Sequence, residues 1–386
     1  MVVYEHMTNH IALYVHWPFC ESKCPYCDFN SHVRKTIDQK IWTQAYIKSL
    51  IYWSKVLPSS VVKSVFFGGG TPSMMEEGSV YDILNCIQKL WKCDPEVEVT
   101  LEANPTSVET KRFYSYKRSG VNRVSLGIQA FDDQDLKRLG RLHTKSAGKQ
   151  AISLAQNYFE KVSFDLIYGR QYQKLDDWER ELISAISFET GHLSLYQLTI
   201  EENTRFGALF SKGKLRGLPD NDFLRDFYEL TQEICEAFNL KNYEISNHAQ
   251  PGHECQHNLN YWNSGNFIGI GPGAHGRVQI DSTRFSTETP RNPEIWLNQV
   301  EREEHHKFCC HPLTKTENAE EYALTSIRLA SGMDIDKYNS FGGNRLCTEK
   351  ILKLKTLNLI KIDRSHLKTT AQGKLLTNFI LKELLC

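Results

Sequence analysis

The sequence lacks any long apolar run, any excess of one charge and any recognisable export signal. No apolar stretch reaches the roughly 20 residues that a membrane-spanning helix needs, so we expect no membrane span. The 46 basic residues balance the 46 acidic ones, which gives no support for an electrostatic nucleic-acid binder. The opening MVVYEHMTNH is not typical of a signal peptide. We therefore expect a cytoplasmic protein that binds no nucleic acid.

Cysteine, by contrast, is abundant. The chain of 386 residues has 11 cysteines, a high and odd number. Without an export signal these residues are expected to be reduced thiols, so clustered ones are candidates for metal ligands. Three of them, Cys20, Cys24 and Cys27, stand together in the stretch CESKCPYCDF.

Six runs rich in β-branched, aromatic and apolar residues recur through the first half of the chain, separated by segments of helical period. The runs are IALYVHWP, VKSVFFGGG, EVEVTLEAN, RVSLGIQA, KVSFDLIYG and HLSLYQLTI. Strands that alternate with helices predict a parallel α/β sheet. Since the chain has no dinucleotide-binding fingerprint, we expect a partial (β/α)6 barrel rather than a doubly wound sheet. One helical segment, TSVETKRF, begins with a capping-box pattern from Thr106 to Glu109.

The regular alternation stops after about residue 200. We predict a barrel domain over residues 1–210, an extension over 211–310 and a C-terminal domain over 311–386. The tail LKLKTLNLIKIDRSHLKTTAQGKLL is typical of a helix, a β-hairpin and a second helix. The C-terminal domain is therefore predicted to be helical and winged-helix-like.

The cysteine cluster follows the first predicted strand directly. In a barrel this position lies at the C-terminal face, where active sites form. Thiolates in such a loop indicate zinc or an iron–sulfur cluster. Zinc would need a distant fourth ligand, for which His16 and His32 are candidates, and a disulfide is a weaker alternative. A cubane cluster held by three cysteines instead keeps one iron open to another ligand.

Polar residues and glycines stand at the ends of the other predicted strands. The run FFGGGTP lets the backbone approach a ligand closely and offers N–H donors. Glu102 ends the third strand, Gln129 the fourth, and Asp165 lies within the apolar fifth. A carboxylate there is costly unless it is paired or bound to a ligand, so a structural salt bridge is the alternative for Glu102. Together these positions predict one site at one end of the barrel.

The spacing CxxxCxxC, with the aromatic Tyr26 before the last cysteine, resembles the radical S-adenosylmethionine enzymes. The resemblance implies that Cys20, Cys24 and Cys27 hold a [4Fe–4S] cluster whose fourth iron binds S-adenosylmethionine. From Tyr14 to GIGPGAHG the order of motifs resembles oxygen-independent coproporphyrinogen dehydrogenase and its relatives. That resemblance implies cofactor contacts at Tyr14, Tyr26, Gly69, Gly70, Thr71, Glu102, Gln129, Arg141 and Asp165.

Two features favour one branch of these relatives. The coproporphyrinogen dehydrogenases have a fourth cysteine two residues after the third, where this chain has Phe29. The sequence HNLNYW also resembles the HNxxYW motif of the HemW-type haem chaperones. The branch implies a protein that binds haem and passes it to an acceptor protein, here unidentified, with an electron donor if radical chemistry operates. Radical decarboxylation of coproporphyrinogen, or radical chemistry on another substrate, are the alternatives.

The HNLNYW motif supplies the haem candidates. His257 offers an imidazole, a usual axial ligand of haem iron, and Tyr261 and Trp262 offer flat apolar surface. The alternative is a packed loop whose histidine and aromatic residues have only a structural role. Three neighbouring residues are rival ligands: His248, His253 and Cys255.

One segment departs from the pattern of the relatives. They usually have YGLPGQT after the fifth strand, whereas this chain has YGRQYQK at residues 168–174. The glycine–proline turn is lost and Arg170 and Tyr172 enter. We expect the fold to persist and the shape of the mouth near Asp165 to change.

Overall fold

The computed structural model describes residues 9–106 and 110–385, so the predicted capping residue Glu109 lies outside the described residues. Seventeen strands lie in this part of the chain. In chain order they are β1 (His10–Trp17), β2 (Phe19–Cys20), β3 (His32–Val33), β4 (Val61–Gly69), β5 (Lys92–Ala103), β6 (Arg123–Gln129), β7 (Lys161–Tyr168), β8 (Gly191–Gln197), β9 (Lys241–Asn242), β10 (Asn247–Ala249), β11 (Asn266–Ile270), β12 (His275–Ile280), β13 (Thr283–Glu288), β14 (Cys309–Pro312), β15 (Met333–Asp334), β16 (Ile360–Asp363) and β17 (His366–Thr369).

The six predicted strands all form, as β1, β4, β5, β6, β7 and β8. They are parallel neighbours in that order within a sheet of 12 strands. On the other side of β1 lies β11, also parallel, so the described sheet continues there instead of closing onto β8. The prediction of a partial barrel is confirmed. Its parallel strands place their carboxyl ends along one edge, where ligand sites of such sheets form.

Helices cover the sheet and connect its strands. They are α1 (Gln39–Val56), α2 (Glu77–Leu90), α3 (Phe113–Ser119), α4 (Asp133–Arg138), α5 (Lys145–Gln156), α6 (Leu175–Ile186), α7 (Arg205–Phe210), α8 (Asn221–Ala237), α9 (Gln256–Trp262), α10 (Pro293–Glu301), α11 (Lys315–Ser326), α12 (Ile335–Ser340), α13 (Thr348–Thr356), α14 (Ala371–Leu375) and α15 (Thr377–Leu385). Two 3₁₀ turns, Pro72–Met74 and His305–Lys307, complete the set among the described residues. Within those residues, no helix is long and apolar enough to cross a membrane.

The edges of the main sheet are antiparallel. At one edge β10 pairs with β8 and β9; at the other, β12, β13 and β14 follow β11. The predicted extension, residues 211–310, therefore contributes strands to the same sheet as the barrel. In the sequence, part of this region is recognisable only as a glycine-rich segment, FIGIGPGAHG. The strand β11 has only five residues and ends just before Gly271, whose φ of 108° does not continue an extended strand. Its run of apolar residues is therefore too short to predict a strand from the sequence.

Besides a cluster of six buried apolar residues around Leu136, two larger apolar cores support the described part of the chain. The larger one extends from Ile11 to Val300 and fills the space between the main sheet and its helices. The smaller one, from Ala319 to Leu384, lies between C-terminal helices and the three-stranded sheet β15–β17–β16. The hairpin of β16 and β17 between α13 and α14 matches the predicted winged-helix-like tail. The domain bounds at residues 210 and 310 stay predictions.

The departure YGRQYQK builds a buried ion network just after the carboxyl end of β7. The guanidinium of Arg170 donates to Asp135 at 2.9 Å and to Glu181 at 2.6 Å, and also to the carbonyl of Ile167. Its side chain is only 4% exposed. Tyr172 points outward, with Arg138 over its ring at 5.3 Å. The hydrogen bonds of Arg170 thus fix the position of this segment, which lacks the glycine–proline turn.

We expect the substitution Arg170→Leu to lower the free energy of unfolding by about 3–5 kcal/mol, because it removes the buried cation from two carboxylates. Asp135 would keep only the more exposed Arg138, and Glu181 only the N–H of Phe131. Urea unfolding followed by circular dichroism measures the change. The control is Arg180→Ala, which removes an exposed ion pair to Asp177 and should change stability by less than about 1 kcal/mol. Equal effects of the two substitutions would contradict the buried network.

Candidate cofactor and ligand site

A cavity of about 400 Å³ lies at the carboxyl ends of the parallel strands. It brings together nearly all the residues that the sequence predicts for the cluster and its cofactor. These are Cys20, Cys24, Tyr26, Cys27, Gly69, Gly70, Thr71, Glu102, Gln129, Arg141 and Asp165. Tyr14 instead lines a second, adjoining cavity. Their binding roles stay predictions, but the predicted convergence of the strand ends is present.

The three cysteines are free thiols on one short loop. Cys20 ends β2 and is buried, whereas Cys24 and Cys27 are half-buried in a turn closed by a 3.1 Å hydrogen bond between their backbones. Burial raises the pKa of the Cys20 and Cys27 thiols. Among the described residues, no group of three His, Cys, Asp or Glu is placed to hold a single metal ion.

The two histidines proposed as a fourth zinc ligand bond elsewhere. His16 Nε2 donates to the carbonyl of Asn30 at 2.9 Å, and its Nδ1 lies 3.2 Å from the Tyr14 hydroxyl. His32 Nε2 lies 3.3 Å from the side-chain oxygen of the same asparagine. Both rings therefore support the loop after the cysteines. The zinc alternative loses the ligands on which it depended.

The glycine run brings β4 against the cysteine loop. A Cβ atom on Gly70 would lie 2.6 Å from the carbonyl oxygen of Phe19 and 3.0 Å from Cys20 Sγ. The N–H groups of Gly69, Gly70 and Thr71 donate to Glu102, Trp17 and Phe19 respectively. Sequence reasoning expected these donors to face a ligand. In the structure the Gly70 and Thr71 donors hold the chain that leads into the cysteine loop, and the Gly69 donor holds the Glu102 carboxyl. The glycines allow this close approach.

Arg141 connects the cysteine loop to two strand ends. Its Nη1 lies 3.4 Å from Cys24 Sγ, and its Nη2 donates to Asn104 Oδ1 at 2.5 Å and to the Gly127 carbonyl at 2.8 Å. Asn104 also donates to the Thr71 hydroxyl at 3.3 Å. The sequence motifs predict Arg141 as a residue of the site but do not single out Asn104. The signal was present in LEANP, where this residue stands two positions after Glu102.

Two carboxyl groups face the same cavity. Burial and the nearby Asp165 raise the pKa of Glu102 to about 8, and burial raises the pKa of Asp165 to about 6. Gly69 N–H donates to Glu102 at 3.3 Å, and the Ser125 hydroxyl donates to Asp165 at 3.5 Å. A ligand cation placed between them would favour their ionised forms. The pair therefore suits a positively charged group.

Gln129 stands at the end of β6 with a φ of 69°, in the left-handed region that side chains other than glycine adopt with strain. Its amide lies against Gly127, where a Cβ would meet it at 3.2 Å. Non-glycine residues in this conformation are enriched at binding sites. The strand end thus turns a polar side chain into the cavity.

A second cavity, of about 1080 Å³, adjoins the first. The two share wall residues, among them Phe29, Glu102 and Asp165. Of the predicted haem residues, His257 and Tyr261 line the larger cavity. Trp262, at the end of α9, is half-buried and does not belong to the wall formed by the described residues.

The motif HNLNYW forms the helix α9 and not a loop, and its histidine is fully engaged. His257 Nδ1 lies 2.9 Å from the Ser64 hydroxyl and Nε2 lies 2.8 Å from the Tyr261 hydroxyl. The side chain stacks on Phe66 at 5.0 Å, and burial lowers its pKa to about 3. The geometry matches the packed alternative more closely than an open iron ligand.

Two of the three rival ligands have a hydrogen bond within the protein. His248 Nε2 lies 3.2 Å from the Gln232 amide, and Cys255 Sγ donates to Glu98 at 3.4 Å. Burial raises the pKa of Cys255 to about 12, which disfavours its thiolate. Among the residues that line the larger cavity, Cys255 is present, whereas His248 and His253 are not.

Comparison with known proteins identifies the family. The model of the radical SAM superfamily matches residues 14–182. The chain is 41% identical over 290 residues to "Heme chaperone HemW" of Escherichia coli, a match that covers 74% of this chain and 75% of the relative. The chain belongs to the HemW family. The predicted branch of the radical SAM superfamily is thereby confirmed.

Other similar proteins match nearly the whole chain. The mouse "Radical S-adenosyl methionine domain-containing protein 1, mitochondrial" is 32% identical over 99% of this chain and 88% of its own length. Among solved structures, the coproporphyrinogen III oxidase HemN from Escherichia coli superposes with a TM-score of 0.81 over 97% of this chain and 90% of its own. At 18% sequence identity this match shows the shared fold.

The raised pKa of Glu102 predicts a pH-dependent stability of the ligand-free protein. The folded state binds this proton more tightly than the unfolded chain, so the contribution is present at low pH and is lost as pH rises toward 8. Between pH 5 and pH 8 we expect the wild type to lose on the order of 2 kcal/mol relative to Glu102→Gln. Urea unfolding of both proteins at the two pH values checks this, and parallel pH profiles would contradict it.

Proposed function

We propose that this protein is a haem chaperone that binds a [4Fe–4S] cluster, S-adenosylmethionine and haem and passes haem to an acceptor protein. The observation that carries the proposal is the 41% identity to the heme chaperone HemW over three quarters of both chains. Phe29, in place of the fourth cysteine of coproporphyrinogen dehydrogenases, agrees with it.

The residues of the smaller cavity fit the cluster. Cys20, Cys24 and Cys27 would each ligate one iron as thiolates, leaving the fourth iron for another ligand. The guanidinium of Arg141, beside Cys24 Sγ, would favour the ionised sulfur. When bound, the cluster supplies an electron-transfer centre with one open coordination position.

The same cavity fits S-adenosylmethionine, which carries a sulfonium and an ammonium group. Glu102 and Asp165 are held partly protonated without a ligand and would ionise beside such cations. The Thr71 hydroxyl and the Gln129 amide line the same wall and supply hydrogen-bonding groups. Tyr14 would contact the cofactor only where the two cavities meet.

Haem would bind in the larger cavity, whose volume of about 1080 Å³ lies just above the usual range of roughly 300–1,000 Å³ for small-molecule sites. As a chaperone the protein would hold the porphyrin without converting it. An electron donor is needed only if radical chemistry operates. The acceptor protein and the cytoplasmic location stay predictions.

The close approach of Gly70 to Cys20 predicts that Gly70→Ala loses most of its cluster after anaerobic reconstitution, because the added methyl group displaces the loop. Iron and acid-labile sulfide per chain measure the loss. The matched control is Gly78→Ala in α2, where a Cβ meets no atom within 4 Å and should leave the iron content unchanged. Full iron content in Gly70→Ala would contradict the predicted cluster position.

The proposed function is tested on one anaerobically reconstituted sample. Titration with haem should give a stable Soret band at a stoichiometry of about one per chain. Incubation with coproporphyrinogen, S-adenosylmethionine and a reductant should yield no decarboxylated product. Turnover to protoporphyrinogen without retained haem would overturn the chaperone assignment.

A further inference from the structure

The larger cavity presents five histidines to a haem iron: His16, His32, His192, His257 and His275. A histidine ligates haem iron through a ring nitrogen that carries no proton. A ring with both nitrogens bonded inside the protein must first lose a hydrogen bond. The hydrogen bonds of each of the five rings therefore indicate how readily that ring could bind the haem iron.

Four of the five rings are already engaged. The nitrogens of His16 bond to Tyr14 and Asn30, those of His192 to Ser163 and Tyr243, and those of His257 to Ser64 and Tyr261. The ring of His32 is engaged through one nitrogen, since its Nε2 lies 3.3 Å from the side-chain oxygen of Asn30. These four histidines act as structural elements of the cavity wall.

His275 differs from the other four. It is the first residue of β12, opposite Glu288 in β13, and its side chain is 51% exposed. Its Nε2 lies 3.8 Å from Glu288 Oε1, beyond hydrogen-bonding distance. A small rotation would let one ring nitrogen donate to this carboxylate while the other faces the cavity. Metal-ligating histidines are commonly oriented by a carboxylate in this way.

The surrounding wall suits a porphyrin. Phe29 and Leu324 are large apolar side chains on this wall, exposed by 58% and 44%. Exposed apolar groups of this size, side by side with a cavity, are typical of a surface that a flat apolar ligand covers. Phe29 is also the residue that distinguishes this chain from the coproporphyrinogen dehydrogenases.

An exposed cation that could bind a propionate lies on the same wall. Arg277 and Arg284 are both turned toward Glu321, at 2.8 Å and 3.8 Å. The side chain of Arg291 is 76% exposed, and its Nε lies 3.8 Å from Glu288. Its planar guanidinium therefore keeps donors for a carboxylate of the ligand.

We propose that His275, oriented by Glu288, is the axial ligand of haem iron in the larger cavity, and that Arg291 binds a haem propionate. This inference rests on the proposed haem binding and assigns the iron to a residue outside the HNLNYW motif. His257 then serves to hold α9 against β4 through Ser64.

The test is haem titration of the full-length, anaerobically reconstituted protein and its variants, followed by Soret absorbance. His275→Ala should shift the Soret maximum and weaken haem binding more than about tenfold, and added imidazole should restore the wild-type spectrum. Glu288→Gln should weaken binding about tenfold with the ligand retained. The control His306→Ala removes an exposed histidine outside the cavity wall and should change neither quantity.

His257→Ala separates the inference from its alternative. It should keep the Soret position but lower Tm, because two hydroxyl partners lose their bond. An unchanged His275→Ala spectrum together with a lost Soret band in His257→Ala would overturn the inference and leave the proposed function in place. A wild type that binds no haem, or that converts coproporphyrinogen, would overturn the proposed function and the inference with it.

Discussion

The half-buried side chain of Arg141 joins the cysteine loop to the ends of the parallel strands. It contacts Cys24 Sγ with one nitrogen and both Asn104 and Gly127 with the other. Apart from its own short turn, the loop is held by Phe206, whose N–H donates to the Pro25 carbonyl at 2.8 Å and whose ring lies 6.4 Å from that of Tyr26. The charge-assisted bonds of one arginine, with the close packing of Gly70, set where the three sulfurs lie. The smaller cavity is lined by both partners of the contact between Arg141 and Cys24.

The two cavities share the carboxyl groups of Glu102 and Asp165 as part of their wall. A cation bound in the smaller cavity would shift both groups toward their charged forms, and the wall of the larger cavity would change its charge as well. Under the proposed function, binding in one cavity would be coupled to binding in the other, and the coupling would be reciprocal. A bound cofactor would then change the affinity for haem without any chemical step.

The sequence predicted the six parallel strands because each is a compact apolar or β-branched run, and it predicted the smaller cavity because parallel strands bring their ends together. It could not show β11, a short strand that ends in glycines, nor the antiparallel edge beyond it. The hydrogen bonds of His257 were also inaccessible, since Ser64 lies 193 residues away in the chain. His275 was overlooked for the same reason: what distinguishes it is the absence of partners that the other four histidines have in three dimensions.

Anomalous scattering at the iron edge, from a crystal of the reconstituted and haem-loaded protein, tests the central claim most directly. The account predicts two separate iron positions: a cluster between Cys20, Cys24 and Cys27, and one haem iron in the larger cavity beside His275. Haem iron at His257, or no iron between the three cysteines, would contradict it.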